Sequence, residues 1–223
     1  MRAFDFILYP LHKILESPTI YALSQVLGKP TIYRYRRLVD VNVKLTSDAE
    51  ILELGCGVGA NRDLFSRCYT GIDINPAYIK KARVSLTGTF AVMDCTSLNY
   101  PDQSFSEIVT IATTHHLSDE QVAMMVKDAL RVCRPGGHFH IVDSILPLSP
   151  NLFKSIWFGL DRGKFPRKLD LLLAILERAG NVERYEVLTG PLHDVVYVRV
   201  GQQHISSSVS PPNFVETPSS DHI

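Results

Sequence analysis

The stretch Ile51-Leu52-Glu53-Leu54-Gly55-Cys56-Gly57-Val58-Gly59-Ala60 constrains this chain more than any other. A short apolar run passes directly into a turn with glycines at alternate positions, so a buried strand must end where the backbone takes conformations other residues avoid. Gly55, Gly57 and Gly59 permit positive φ and let main-chain atoms pass close to a ligand. They do so at the carboxyl end of a first strand, where open α/β sheets bind nucleosides. Gly55, Gly57 and Ala60 also satisfy the dinucleotide pattern G-x-G-x-x-G/A, so the loop alone does not choose between nucleosides.

Downstream, short β-type runs alternate with helical periodicity. Strands are expected at Ile51–Leu54, Tyr69–Asp73, Thr89–Val92, Glu107–Ile111 and Gly137–Val142. Helices are expected at Pro76–Val84 and at Ser118–Val132, where Ser118 is a candidate N-cap with Gln121 three residues on. This alternation predicts a mostly parallel sheet with helices on both faces. The rhythm then changes: Leu169–Ala179 reads as a helix ended by Gly180, and Val182–Leu188 and Asp194–Val200 are strands separated only by Thr189–His193. So short a connection cannot hold a parallel crossover, so this last pair is expected to be an antiparallel hairpin.

Residues 1–46 read as a helical extension, 47–200 as the core domain, and 201–223, rich in Ser and Pro, as a disordered tail. With 45% hydrophobic residues over 223 positions, the chain has enough apolar material for one full-sized globular core. Lys plus Arg and Asp plus Glu stand at 23 each, which removes the broad positive field of a nucleic-acid binder. Cys56, Cys68, Cys95 and Cys133 form no CxxC pair, which excludes a zinc ribbon and a disulfide scaffold and points to reduced thiols in a cytoplasmic setting. The apolar amino terminus is interrupted by Asp5, Pro10, His12, Lys13 and Glu16, so no transmembrane segment is expected there.

Three more features narrow the nucleoside. Glu53 stands two residues before the first glycine, Asp73 closes the second strand, and Asp94-Cys95 closes the third. A fourth motif runs from Phe105 to Leu117, with Thr110, Ala112 and the pair His115-His116, and is followed by Leu130-Arg131-Val132-Cys133-Arg134-Pro135-Gly136-Gly137. In that order, over residues 45–200, the chain resembles the class I S-adenosylmethionine-dependent methyltransferases, and within them the small-molecule branch that includes quinone and sterol methyltransferases. One departure is Ser106, where the family usually has Asp; that residue commonly supports the sheet.

The resemblance implies an α/β, Rossmann-like doubly wound seven-stranded sheet, mostly parallel with a C-terminal antiparallel hairpin, plus an N-terminal helical lid. It implies S-adenosylmethionine as cofactor, held by Glu53, Gly55, Cys56, Gly57, Gly59, Asp73, Ile74, Asp94, Cys95, Thr110 and Ala112. Glu53 would order the loop near the methionine end. Asp73 would accept from both ribose hydroxyls, since a carboxylate has two acceptor oxygens to match a vicinal diol. Asp94 and the Cys95 backbone N–H would meet adenine, with Ile74 and Leu98 flanking the ring.

On the acceptor side, His116 follows the fourth strand where this branch commonly carries a histidine, and is expected as the general base, with His115 beside it. Asp143 ends the fifth strand at the ligand edge, and Trp157, Phe158 and Phe165 lie in the insertion that usually roofs the acceptor pocket. In the same insertion, Arg167 reads as a solvated side chain or a contact to an anionic acceptor. His138 and His140 share a strand face and read as packing. Thr113-Thr114 offers no Asp/Asn cluster for Mg²⁺, so no metal is expected, and the absence of an Asn/Asp-Pro-Pro-aromatic signature argues against a base N-methyltransferase. The extension would be a lid, its aromatics Phe4, Phe6, Tyr9 and Tyr21 facing a lipophilic acceptor and Tyr33 or Arg36 reaching the cofactor carboxylate, or else a dimer contact or a membrane-surface contact.

The expected function is therefore methyl transfer from S-adenosylmethionine to a small, apolar molecule at a hydroxyl oxygen, by a monomer or homodimer. Two alternatives stay open from sequence: a binding protein for the same cofactor without transfer chemistry, and an NAD-dependent oxidoreductase.

Overall fold

The computed structural model describes residues 31–43, 46, 48–65, 68–149, 164–190 and 194–202, and the backbone of 213–216. The elements are α1 (31–42), β1 (Ile51–Leu54), β2 (Tyr69–Asp73), α2 (Pro76–Ser85), β3 (Thr89–Val92), β4 (Glu107–Ile111), α3 (Asp119–Val132), β5 (Phe139–Ile145), α4 (Leu169–Ala179), β6 (Asn181–Leu188), β7 (Asp194–Gly201) and β8 (Asn213–Glu216). They form one sheet in the order β3-β2-β1-β4-β5-β7-β6-β8. Strands β1 to β5 pair in parallel, and β7 runs antiparallel to both β5 and β6. The chain winds outward from β1 to β3 and then returns to β4, so the order reverses between β1 and β4; ligand crevices of doubly wound sheets open at that point, beyond the carboxyl ends of the strands.

Side-chain alternation assigns the two faces. Leu52 and Leu54 of β1, Ile108 of β4 and Phe139 and Ile141 of β5 point to a cluster covered by α3 and α4. Ile51, Val109, Ile111 and Val142 point the other way, beneath α1 and α2. Helix α3 starts at a complete capping box, in which Ser118 and Gln121 each satisfy the other's backbone N–H. It buries Val122, Met125, Val126, Ala129 and Leu130, the i, i+3, i+4, i+7, i+8 stripe of a helix lying on a sheet. Helix α2 begins with Pro76 behind Asn75, whose side chain accepts from the Ala77 N–H, so the missing proline donor costs nothing there. Among the described residues, no helix is long and apolar enough to cross a membrane.

The structure departs from the sequence expectations in three places. β5 starts two residues later than expected and runs on to Ile145, because it is paired on both sides, with β4 and with β7. Helix α1 is not a detached lid segment. Leu38, Val39 and Val43 are buried in the same cluster as Ile51, and Asn42 Nδ2 donates to Glu186 Oε2 of β6 at 3.1 Å, so the core reaches back past residue 46. Last, the segment expected to be disordered contains β8, which pairs in parallel with β6 at the sheet edge. Its sequence Asn-Phe-Val-Glu places two β-prone residues inside a Ser/Pro-rich stretch, a local signal that composition averages away. The lid aromatics Phe4, Phe6, Tyr9 and Tyr21 lie outside the described residues.

Candidate active site

The loop after β1 takes the conformation its glycines were expected to allow, with φ of +73° at Gly55, +55° at Gly57 and +78° at Gly59. A Cβ at Gly57 would meet nothing within 4 Å, so this loop faces open space, whereas a Cβ at Gly55 would collide with the Thr113 side chain from beyond β4. Glycine thus serves two purposes here: backbone exposure to a ligand at Gly57, and close interlock with the neighbouring strand end at Gly55. Cys56 is buried against β2, its backbone N–H donating to Ile72 O at 2.9 Å.

Asp73 ends β2 directly opposite. Its Oδ2 accepts from the Gly57 N–H at 2.9 Å and its Oδ1 from the Asn75 N–H at 2.8 Å. Each oxygen retains a further lone pair, the arrangement that a vicinal diol requires. Ile74, next in sequence, is 70% exposed, an apolar surface beside the carboxylate on which a planar ring can rest. At the end of β3, Asp94 Oδ1 accepts from the backbone N–H and the hydroxyl of Thr96, both at 2.8 Å, which fixes the turn. Burial, helped by the Asp94 charge, pushes the neighbouring Cys95 thiol up to about 12, so it stays protonated at neutral pH. Leu98, expected to flank the ring, is instead buried in the core beneath α3.

Glu53 lies behind the loop rather than in the crevice. It is fully buried, and its carboxyl accepts from Tyr69 Oη at 2.5 Å and from Asn61 Nδ2 at 3.3 Å. Burial raises its pKa above the ordinary carboxylate value, partly offset by those two donors. Through Asn61 it reaches the segment that follows the glycine loop. Thr110 is likewise fully buried, its hydroxyl donating to Leu54 O at 2.9 Å; it ties β4 to β1 and offers the crevice no side chain.

Beyond β4 the chain makes a sharp corner. Ala112 holds φ +55°, a left-handed conformation unusual for a residue with a Cβ, and its N–H donates to Val142 O at 2.8 Å. A 3-10 turn over Thr114–His116 follows. Asp143 of β5 organises this turn from below. Its Oδ2 accepts from the Thr114 N–H at 2.6 Å and the Thr114 hydroxyl at 2.5 Å, and its Oδ1 lies 2.5 Å from His115 Nδ1. Burial works against the Asp143 charge, but the His115 ring, the Thr114 hydroxyl and the Ser144 N–H together hold its pKa below the ordinary value. Asp143 was expected to touch the acceptor; with no exposed surface and both oxygens engaged, it positions the turn instead. His115 is buried and carries this carboxylate support, while His116, its ring tilted against the first with centroids 4.1 Å apart, is exposed.

Arg167 locks the corner from the other side. Only 4% exposed, its guanidinium donates to the carbonyls of Thr114 at 2.8 Å and Leu117 at 2.5 Å and to Asp119 Oδ1 at 2.7 Å. It is neither solvated nor placed for an acceptor, and nothing in its sequence context marked this clamp. Tyr69 was missed as well, since a tyrosine opening a strand reads simply as core. Phe165 is partly exposed and its N–H donates to His115 O at 2.9 Å, so the insertion returns directly to the histidine turn. Trp157 and Phe158 lie outside the described residues. Arg36 does not reach toward a ligand; it pairs with Asp63, with Nη1 3.0 Å from Oδ1, and donates to Ala60 O at 3.1 Å, which braces the far end of the glycine loop. Tyr33 points outward, largely exposed.

The reversed strand order, the glycine loop and the acids closing β2 and β3 lie together at the crevice where doubly wound α/β sheets take nucleosides. Comparison with known proteins agrees: residues 51–137 match the model of a family described as a methyltransferase domain. A 2-methyl-6-phytyl-1,4-hydroquinone methyltransferase from Synechocystis sp. is 34% identical over 101 residues, 42% of this chain and 31% of that protein. A 27-O-demethylrifamycin SV methyltransferase from Amycolatopsis mediterranei is 30% identical over 117 residues, 48% of this chain and 42% of that protein. The solved structure of a SAM-dependent methyltransferase from Methanosarcina mazei shares the fold with a TM-score of 0.60 at 22% identity, over 78% of this chain and 98% of the other. Residues 51–137 are thus a methyltransferase domain, similar to those of class I S-adenosylmethionine-dependent enzymes, and the cofactor that goes with it is S-adenosylmethionine. The matches span 31% and 42% of the length of these two relatives.

Proposed function

We propose that this protein transfers a methyl group from S-adenosylmethionine to a hydroxyl oxygen of a small, apolar molecule. The observation that carries the reading is the 2.5 Å pairing of His115 Nδ1 with the buried Asp143, on the turn at the carboxyl end of β4. With Asp143 held below the ordinary carboxylate value, the proton between the two belongs on Nδ1, and in the neutral ring the basic nitrogen is then Nε2. His116 was the expected base; the pairing with Asp143 supports His115 in that role instead, with the exposed His116 beside it.

The residues present fit the cofactor. Asp73 would hold the ribose diol, Ile74 would cover one face of the adenine, Asp94 would accept from the adenine amino group, and the N–H groups of the glycine loop would face the methionine portion. When bound, S-adenosylmethionine supplies a sulfonium methyl carbon that is already strongly electrophilic. What the chain must add is alignment, which can account for most of the barrier reduction, and removal of one proton. His115 Nε2 takes the hydroxyl proton as the oxygen–carbon bond forms, and Asp143 stabilises the resulting imidazolium. Two named relatives support an apolar hydroxylic acceptor: one name specifies a hydroquinone with a phytyl chain, the other an O-demethylated compound.

The test is to incubate the protein with S-adenosylmethionine and a panel of lipophilic hydroquinones and alcohols, then follow S-adenosylhomocysteine and methylated product by mass spectrometry. Product from at least one acceptor, lost in His115→Gln, is the expected result. S-adenosylhomocysteine binding with no turnover on any hydroxyl compound, but methylation of an amine or thiol panel, would overturn the oxygen assignment.

A further inference from the structure

A second cluster of chemistry-bearing side chains lies far from this crevice. Glu107 opens β4, and His138 and His140 flank the start of β5, so all three sit at the amino ends of parallel strands, the sheet edge opposite the glycine loop. Their ligand-type atoms all lie within 4.8 Å of one another. Glu107 Oε2 is 3.0 Å from His140 Nε2 and 3.6 Å from His138 Nδ1. In a tetrahedral zinc site with bonds of about 2.0–2.1 Å, neighbouring donor atoms stand roughly 3.3 Å apart, so these two separations bracket the value required.

The surroundings match what ligating histidines need. A metal-bound imidazole ordinarily gives its other nitrogen to a fixed hydrogen-bond partner. His140 has Tyr197 Oη 2.8 Å from Nδ1, and His138 has Glu183 Oε2 3.5 Å from Nε2. Glu183 is itself held by Arg199, with Nε at 2.9 Å, which balances the one cation that borders the cluster from β7. The Glu107 carboxylate is aimed by the His138 backbone N–H at 2.9 Å. His138 and Glu107 keep 27% and 18% of their side chains exposed, which leaves an entry path and room for water as a fourth ligand.

We propose that Glu107, His138 and His140 form a binding site for a zinc-class transition-metal ion on the edge of the sheet opposite the cofactor crevice. Two imidazoles and one carboxylate select a borderline ion such as Zn²⁺ over Mg²⁺ or Ca²⁺, which take all-oxygen sets. The ion bridges β4 and β5 and, through Tyr197 and Glu183, reaches β7 and β6. Its role is to fasten the centre of the sheet. The strand alternation that placed His138 and His140 on one face was already legible in the sequence; what was missing was Glu107, whose approach depends on the β4–β5 register.

The experiment uses the full chain without an affinity tag. Co²⁺ titration is expected to give one equivalent with the visible d–d absorption of a tetrahedral site, and Zn²⁺ at about a hundredfold over its dissociation constant is expected to raise the melting temperature by several degrees. His138→Ala, at a partly exposed position, removes both effects, while Cys68→Ser, at the exposed thiol, keeps them. Glu183→Gln leaves the three ligands in place and weakens metal binding about 10- to 100-fold. The proposal is overturned if the full chain shows neither absorption nor a metal-dependent melting shift, or if His138→Ala retains both. It is equally overturned, should His138→Ala not fold, if Glu183→Gln binds Co²⁺ with unchanged affinity.

Discussion

Gly57 donates its backbone N–H to Asp73 Oδ2 across 2.9 Å, so the glycine loop after β1 and the acid closing β2 are a single unit before any ligand arrives. The loop aims the carboxylate and the carboxylate holds the loop open. Pre-setting both partners lowers the ordering cost of binding.

That coupling makes Asp73→Ala a double loss. Removing charged hydrogen bonds of this kind costs about 1–3 kcal/mol, which is roughly 5- to 150-fold in the dissociation constant of S-adenosylhomocysteine. Calorimetric titration measures it. A folded variant with unchanged affinity would remove the ribose assignment.

His115→Gln and Asp143→Asn should resemble one another kinetically. Both are expected to lower kcat about 10²-fold or more while S-adenosylhomocysteine affinity stays within twofold, since neither is among the residues assigned to hold the cofactor. His116→Gln, which leaves the buried pair intact, should lose much less. A thermal melt on each variant separates loss of chemistry from loss of structure, and a parental rate in folded His115→Gln would move the proton to another acceptor.

Glu53→Gln should stabilise the protein at neutral pH. Burial raises the folded pKa of Glu53, so its neutral form is the better tolerated one, and the native state loses stability as pH rises through that raised value. Glutamine keeps an oxygen to accept from Tyr69 and carries no charge. The variant's advantage in melting temperature should therefore grow as pH rises from the ordinary carboxylate pKa toward the raised one. An advantage that is flat with pH would show that Glu53 is ionised in the native state throughout.

Arg167→Ala leaves the Thr114 and Leu117 carbonyls without their donor in a buried corner, at a cost of roughly 2–4 kcal/mol in chemical denaturation. Arg167→Lys should recover little, because a single ammonium cannot reach carbonyls and the Asp119 carboxylate in the fan that a guanidinium spans. Full recovery with lysine would mean that charge, not geometry, holds the corner.

The parts of this molecule that could be read in advance are those governed by local rules. Gly55, Gly57 and Gly59 announce positive φ because no other residue takes it cheaply, and all three have it. Ser118 with Gln121 announces a capping box, which forms. Six of the seven expected strands agree outright or within one residue at each end, since buried runs such as Ile51–Leu54 and Glu107–Ile111 end at turn residues. What could not be read depends on register between distant segments. Asp143 looked like an acceptor contact because it ends a strand on the ligand edge, and only the β4–β5 pairing shows that Thr114 and His115 fold down onto it. Arg167 looked solvated because arginines in insertions usually are. Glu107 and His140 are 33 positions apart, and nothing in either neighbourhood names the other.

The place of β7 has a consequence in time. It is among the last strands in the chain, yet it lies between β5 and β6. During synthesis, residues 51–143, which build the crevice, leave the ribosome first, while the backbone donors and acceptors along the outer side of β5 wait bare until residue 201 has followed. A nascent or truncated chain that ends before β7 therefore presents the outer side of β5 as an open sheet edge. Any other extended polypeptide can pair with that edge, so the interval before β7 arrives is when this protein is most exposed to capture by a chaperone or by another copy of itself.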